Sequence, residues 1–171
     1  MRSLLLLRHA KTEAGSGVDV TRALTTAGRD QAYRVAEHVT VRLPELVLCS
    51  SAVRAQQTWQ RLAAGLDDLG AVTADLEVAV LDSLYEASPR TVLEAVRERA
   101  GEARTVLVIG HEPIMSMTAA ALAGPGSDDA GTHVVAAGLP TASLAVLQTD
   151  SPWSELTRAG ARLTQVLHTS V

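Results

Sequence analysis

Three short apolar runs constrain this chain more than anything else in it. Leu4–Leu7, Leu46–Cys49 and Val106–Ile109 each hold four uninterrupted apolar residues and then break into a polar cluster. A run that short and that uniformly apolar reads as a strand covered on both faces, which calls for helices above and below a largely parallel sheet. Helical segments fall where such a sheet needs them. Ala27, Gln31, Val35 and Val39 recur at helical spacing over about Thr26–Val41, and Pro44 follows the end. Ser50 and Ser51 offer N-cap hydroxyls to a helix reaching about Leu66, and Ser88-Pro89 opens another, with Val92, Leu93, Val96 and Ala100 as its stripe. Glu112-Pro113 begins a further helix to about Ala123.

Glu77–Leu81 is a weaker strand, and Thr141–Gln148 and Arg162–His168 form a late pair around a turn at Ser151-Pro152. The expected architecture is therefore α/β: a three-layer α/β/α sandwich with a mostly parallel sheet and an antiparallel edge strand. Gly124–Gly131, rich in Gly, Pro, Asp and Ser, is expected to be a mobile connection. A chain of 171 residues without repeats is expected to form one domain, 1–171.

Composition removes several function classes. Phe is absent and only two Tyr and two Trp occur, so a stacking platform for nucleic acid is not expected. The net charge is −4, so any anion site must be local, made by a few converging arginines. Leu4–Leu7 is too short for a signal-peptide core, and no run approaches the ~20 apolar residues of a membrane span. Cys49 is the only cysteine, so no intrachain disulfide can form. A soluble, cytoplasmic protein with neither nucleic-acid nor membrane partner is expected.

The polar clusters that end the runs carry the chemistry. Arg8-His9 follows the first, Ser50-Ser51 and Arg54 the second, Gly110-His111 the third. In a parallel sheet the carboxyl ends of strands share one rim, and ligands bind there. Two arginines and two histidines would meet at that rim. Phosphoryl transfer needs such a set, because arginine forks bind the charged equatorial oxygens and an imidazole can attack phosphorus and hold it covalently. Neighbouring arginines would keep that imidazole neutral near pH 7, and the helix following His111 would add amide donors.

These residues resemble the signatures of the histidine phosphatase superfamily. Leu7-Arg8-His9-Ala10 is similar to its Arg-His-Gly element, Ser50-Ser51-Ala52-Val53-Arg54-Ala55-Gln56-Gln57-Thr58 to its Ser-x-x-x-Arg-Ala-x-Gln-Thr segment, and Gly110-His111-Glu112-Pro113 to its Gly-His-Asn/Glu-Pro segment. Asp19-Val20-Thr21-Arg22-Ala23-Leu24-Thr25-Thr26-Ala27-Gly28 resembles an element of the short SixA-type phosphohistidine phosphatases. The resemblance implies a phosphoglycerate mutase-like fold and a phosphatase that needs no metal or other cofactor. His9 would take the phosphoryl group, Arg8, Arg54 and His111 would grip its oxygens, and Arg22 would be an accessory contact. Glu86 is the candidate general acid, although a phosphohistidine imidazole can leave already protonated. The implied substrate is phosphohistidine on a protein, with a small phosphorylated metabolite as the alternative. Ala10 stands where the family commonly has glycine.

Other readings of the same residues differ in what they require. A phosphate- or phosphopeptide-binding module would need the arginines but no nucleophile. A mutase would need a second substrate pocket, and the short segment between Arg54 and His111 disfavours it. Cys49 is not a phosphatase nucleophile, since four residues separate it from Arg54 where the thiol phosphatase loop has five. No His/Asp/Glu grouping has metal-ligand spacing. His38, His133 and His168 are expected to be structural or exposed, Asp19 to orient the Arg22 loop, and Glu112 to sit as an acid at a helix start.

Overall fold

Each apolar run becomes a strand because its backbone can pair on both sides while both rows of side chains are covered. The computed structural model describes residues 1–15 and 17–169. One six-stranded sheet contains β1 (Arg2–Arg8), β2 (Leu46–Ser50), β3 (Glu77–Leu81), β4 (Thr105–Gly110), β5 (Ser143–Thr149) and β6 (Arg162–His168), in the order β3-β2-β4-β1-β5-β6. The first four run parallel. β5 is antiparallel to both β1 and β6, so the reversed strand lies one place in from the edge and β6 closes the sheet outside it.

Alternate residues of the strands feed two cores. Leu5, Leu7, Val47, Cys49, Leu107 and Ile109 pack against α1 (Thr26–Arg34), α2 (Ala36–Val39) and α3 (Val53–Asp68). Leu4, Leu6, Leu46, Leu48, Val106 and Val108 pack against α4 (Pro89–Arg99), α5 (Ile114–Leu122) and α6 (Asp129–Ala137). Leu6, Leu7, Leu48 and Leu107 are fully buried, and each such side chain contributes about 1.5–3 kcal/mol relative to exposure. Cys49 is also sealed in, and burial pushes its thiol pKa up to about 12.

The helix boundaries depart from expectation in four places. The Thr26–Val41 segment is α1 followed by α2, then a tighter turn to Arg42. α3 starts after Ala52 with no side-chain cap, because the Ser50 hydroxyl is directed to His111 instead. α5 begins at Ile114, and the Glu112 carboxylate caps it from outside by accepting from the Ser116 amide and hydroxyl. Gly124–Gly131 is not a loose connection. Its backbone is pinned to β6 by Gly124 N–H to Ala161 O (2.7 Å) and Asp128 N–H to Leu163 O (2.8 Å), and Asp128 caps α6 through Gly131 N–H. Among the described residues, no helix is long and apolar enough to cross a membrane.

Candidate active site

Sheet register brings the polar clusters together. Arg8 pairs with Gly110 across β1 and β4, Cys49 pairs with Ile109 across β2 and β4, and the His9 amide donates to the Gly110 carbonyl at 3.0 Å. His9 and His111 therefore leave neighbouring strands at the same height. Their ring centroids are 5.2 Å apart, tilted by 56°.

Hydrogen bonding fixes what each ring can do. The His9 Nδ1 lies 2.8 Å from the Ala10 carbonyl, which can only accept. Nδ1 is thus the protonated nitrogen, and the lone pair sits on Nε2. Burial first, then the charges of Arg54, Arg8 and Arg22, lower the His9 pKa to about 4, while the Ala10 bond opposes them. Desolvation, more than the arginines invoked from sequence, keeps this ring neutral. His111 is lowered to about 3 by burial and by Arg54. Its Nε2 is 2.7 Å from the Ser50 hydroxyl, and its Nδ1 is buried without a partner among the described residues. Ser50 Oγ also accepts from the Ala52 amide (3.3 Å). When that hydroxyl donates to Nε2, the proton of His111 sits on Nδ1.

The arginines are held by neighbouring groups. Arg8 Nη1 donates to the Leu139 carbonyl (2.7 Å). Arg54 is only 6% exposed and takes Asp19 at two points, Nη1 to the backbone carbonyl (2.9 Å) and Nη2 to Oδ2 (3.1 Å). Arg22 Nε donates to Asp19 Oδ1 (2.9 Å) and Nη1 to Thr12 Oγ1 (2.9 Å). The Nε atoms of Arg8 and Arg54 are buried without partners among the described residues, so donor capacity remains unspent on both forks. Two of the amides in the first turn of α5 are already engaged. Met115 N–H goes to the His111 carbonyl and Ser116 N–H to Glu112.

Four side chains that sequence reading left without a role complete the arrangement. Thr58 Oγ1 accepts from the Ala10 amide (3.1 Å) and donates to the Arg54 carbonyl (2.7 Å), tying the two motifs together. Gln57 accepts from the Leu24 amide (2.8 Å) and Gln31 from the Lys11 amide (3.0 Å). Tyr85 donates its hydroxyl to Asp19 Oδ2 (2.6 Å), meets His111 edge to face at 5.8 Å, and lies under the Arg54 guanidinium. A lone polar aromatic just before the Ser88 cap, in a chain with so few aromatics, was the available signal. Glu86 itself is exposed, and among the described residues no hydrogen bond or ion pair joins it to His9, Arg8, Arg54 or His111. The Asp19 carboxyl is held far below the usual range, first by the Tyr85 hydroxyl and then by Arg22 and Arg54.

Local sequence explains the fit. Thr25 caps α1 by accepting from Gly28 N–H (2.9 Å), and a Cβ at Gly28 would stand 2.0 Å from the Lys11 carbonyl oxygen, so only glycine lets the segment after His9 lie on the helix. Ala10 is fully buried and has no positive φ, so alanine fits this position without backbone strain. Among the described residues no group of three or more His, Cys, Asp and Glu side chains is placed to hold a metal ion.

The family model described as histidine phosphatase superfamily (branch 1) matches residues 4–89. The chain belongs to this superfamily. The histidine phosphatase is 32% identical over 154 residues to the uncharacterized protein Rv1276c of Mycobacterium tuberculosis, covering 88% of this chain and 91% of that one. Its fold matches that of a Nakamurella multipartitia protein provisionally named phosphohistidine phosphatase SixA, with a TM-score of 0.82, 29% identity, and coverage of 99% and 97% of the two chains. An Agrobacterium tumefaciens protein with the same provisional name gives 0.76, 28%, and 98% of each chain. The histidine phosphatase thus falls in the short SixA-type group and is a phosphatase by family.

Proposed function

We propose that this histidine phosphatase hydrolyses phosphohistidine on a protein through a covalent intermediate on His9. The observation that carries the reading is the His9 ring. Its Nδ1 is committed to the Ala10 carbonyl and its Nε2 is left as a neutral nucleophile, lowered to a pKa of about 4, among the charges of Arg8, Arg22 and Arg54. In the first step the Nε2 lone pair forms a bond to phosphorus while the bond to the leaving nitrogen breaks, its electron pair departing with an imidazole that arrives protonated. In the second step water attacks phosphorus, the phosphorus–Nε2 bond breaks, and the proton lost by water leaves with phosphate or to solvent. Arg8, Arg54 and His111 hold the equatorial oxygens throughout, where fixed donors act most strongly. Arg22 reaches the same charge from the mouth.

The position of Glu86 supports the choice of substrate. A carboxyl outside the hydrogen-bond network is a poor proton donor for an alkoxide, whereas a phosphorylated imidazole needs no strong acid. The unpaired thiol of Cys49 fits the cytoplasm as the compartment. The test is rapid-quench mass spectrometry with a labile phosphoryl donor in EDTA. A transient, acid-labile adduct of about 80 Da on His9, absent in His9→Ala, is expected for a covalent phosphoryl-enzyme. Turnover without an adduct overturns the nucleophile, and tight phosphate binding without turnover makes the protein a binding module. A preference for phosphate esters of small metabolites over phosphohistidine overturns the substrate.

A further inference from the structure

Resting on that reading, we infer that Tyr85 is a specificity-determining residue, the wall against which the planar ring of the leaving group packs. In-line attack by His9 Nε2 sends the leaving group out on the side opposite His9. Tyr85 meets His111 edge to face at 5.8 Å and lies under the Arg54 guanidinium, so it borders both groups that would hold the phosphoryl oxygens. It is part-exposed and belongs to neither hydrophobic core.

The ring is also held still. Leu84 anchors the segment in the core at 2% exposure, the Tyr85 amide donates to the Asp82 carbonyl (3.0 Å), and Ser88 starts α4 three residues on. At its far end the hydroxyl is fixed to Asp19, 66 residues away in sequence. A ring pinned at both ends presents its surface at no cost in rotamer freedom. Aromatic pairs favour offset or edge-to-face contact, so a flat heteroaromatic such as imidazole gains from this wall while a ringless leaving group does not.

The experiment uses two donors with the same kind of scissile bond, phosphoimidazole and phosphoramidate, which differ in whether the leaving group has a ring. Full-length Tyr85→Leu is expected to lower kcat/KM for phosphoimidazole about tenfold more than for phosphoramidate, the scale of one lost aromatic contact. Tyr85→Phe keeps the ring and loses only the bond to Asp19, so it is expected to retain the wild-type ratio of the two donors even where both rates fall. An equal loss on both donors in Tyr85→Leu overturns the inference, since Tyr85 then acts only by supporting Arg54 and His111. A shifted ratio in Tyr85→Phe equal to that in Tyr85→Leu also overturns it, because the hydroxyl and not the ring would then discriminate. Wild-type protein inert toward both donors overturns the phosphohistidine reading and the inference with it.

Discussion

The Ser50 hydroxyl lies 2.7 Å from His111 Nε2, and both groups are buried. β2 and β4 are adjacent parallel strands, so this contact is made where their carboxyl ends meet. When the hydroxyl donates in this contact, the proton of His111 sits on Nδ1.

Ser50→Ala removes that bond without removing either histidine. The expected result is a fall in kcat/KM of about tenfold, the worth of one hydrogen bond in a buried site. Nitrogen-15 spectra of the His111 ring would show both neutral tautomers in the variant and one in the wild type. An unchanged tautomer would remove Ser50 from the positioning of His111.

Arg54→Ala is expected to lower kcat by about 10²–10³, as loss of one preorganised charge donor does elsewhere. Arg54→Lys should recover little of this, because the single nitrogen of an ammonium lacks the planar fork that reaches the Asp19 carbonyl and carboxylate from two separate nitrogens. Steady-state kinetics on both variants would decide it, and near-wild-type turnover in Arg54→Ala would place the residue outside the chemistry.

Acid should act on stability through the histidines. His9 and His111 have folded-state values of about 4 and 3, below the ordinary 6.5, so the unfolded chain binds more protons than the folded one between those values. Stability is therefore complete above pH 6.5 and falls as pH drops toward 4, by up to about 1.4 kcal/mol per pH unit for each ring. Urea titrations from pH 7 to 4 would show a shallower fall in His9→Ala. Equal slopes would mean that the ring is not held neutral by the fold.

Tyr85 offers an optical readout of the mouth. Its hydroxyl is raised above the ordinary tyrosine value, first by the bond to Asp19. In Asp19→Asn the charge is gone, and spectrophotometric titration should show Tyr85 ionising at lower pH than in the wild type. The second tyrosine, Tyr33, is raised by Asp68 and serves as the internal reference, since it should not move. A Tyr85 that titrates identically in both proteins would break the Asp19–Tyr85 bond as described.

Thr58→Val keeps shape and removes the hydroxyl that joins the Ala10 amide to the Arg54 carbonyl. Leaving a buried amide unpaired costs about 1–3 kcal/mol, which thermal unfolding would register. Activity should fall as well, because the Ala10 backbone also holds the proton of His9. Loss of stability with full activity would separate the two motifs.

What was legible in the sequence was local. Leu4–Leu7 and Val106–Ile109 announce buried strands because nothing polar interrupts them, and the residues that follow must then lie at the sheet rim. Arg8, His9, Arg54 and His111 were readable for that reason. The links that orient them were not, because they join distant parts of the chain: Thr58 to Ala10, Ser50 to His111, Tyr85 to Asp19. α6 was hidden by its own beginning. Asp128 caps the helix, yet among Gly124, Pro125, Gly126 and Ser127 it reads as one more turn residue. Glu86 was chosen for its charge, while the neighbouring Tyr85 carries the contacts.

The sealed state of Cys49 has a consequence for how such an enzyme meets oxidants. Phosphatases that attack with a thiolate are silenced when peroxide converts it to sulfenic acid. Here the one sulfhydryl is fully buried and kept protonated, and the groups gathered at the rim are imidazoles and guanidiniums, which peroxide leaves alone. Dephosphorylation by this route would continue through an oxidative burst that stops thiol-dependent enzymes.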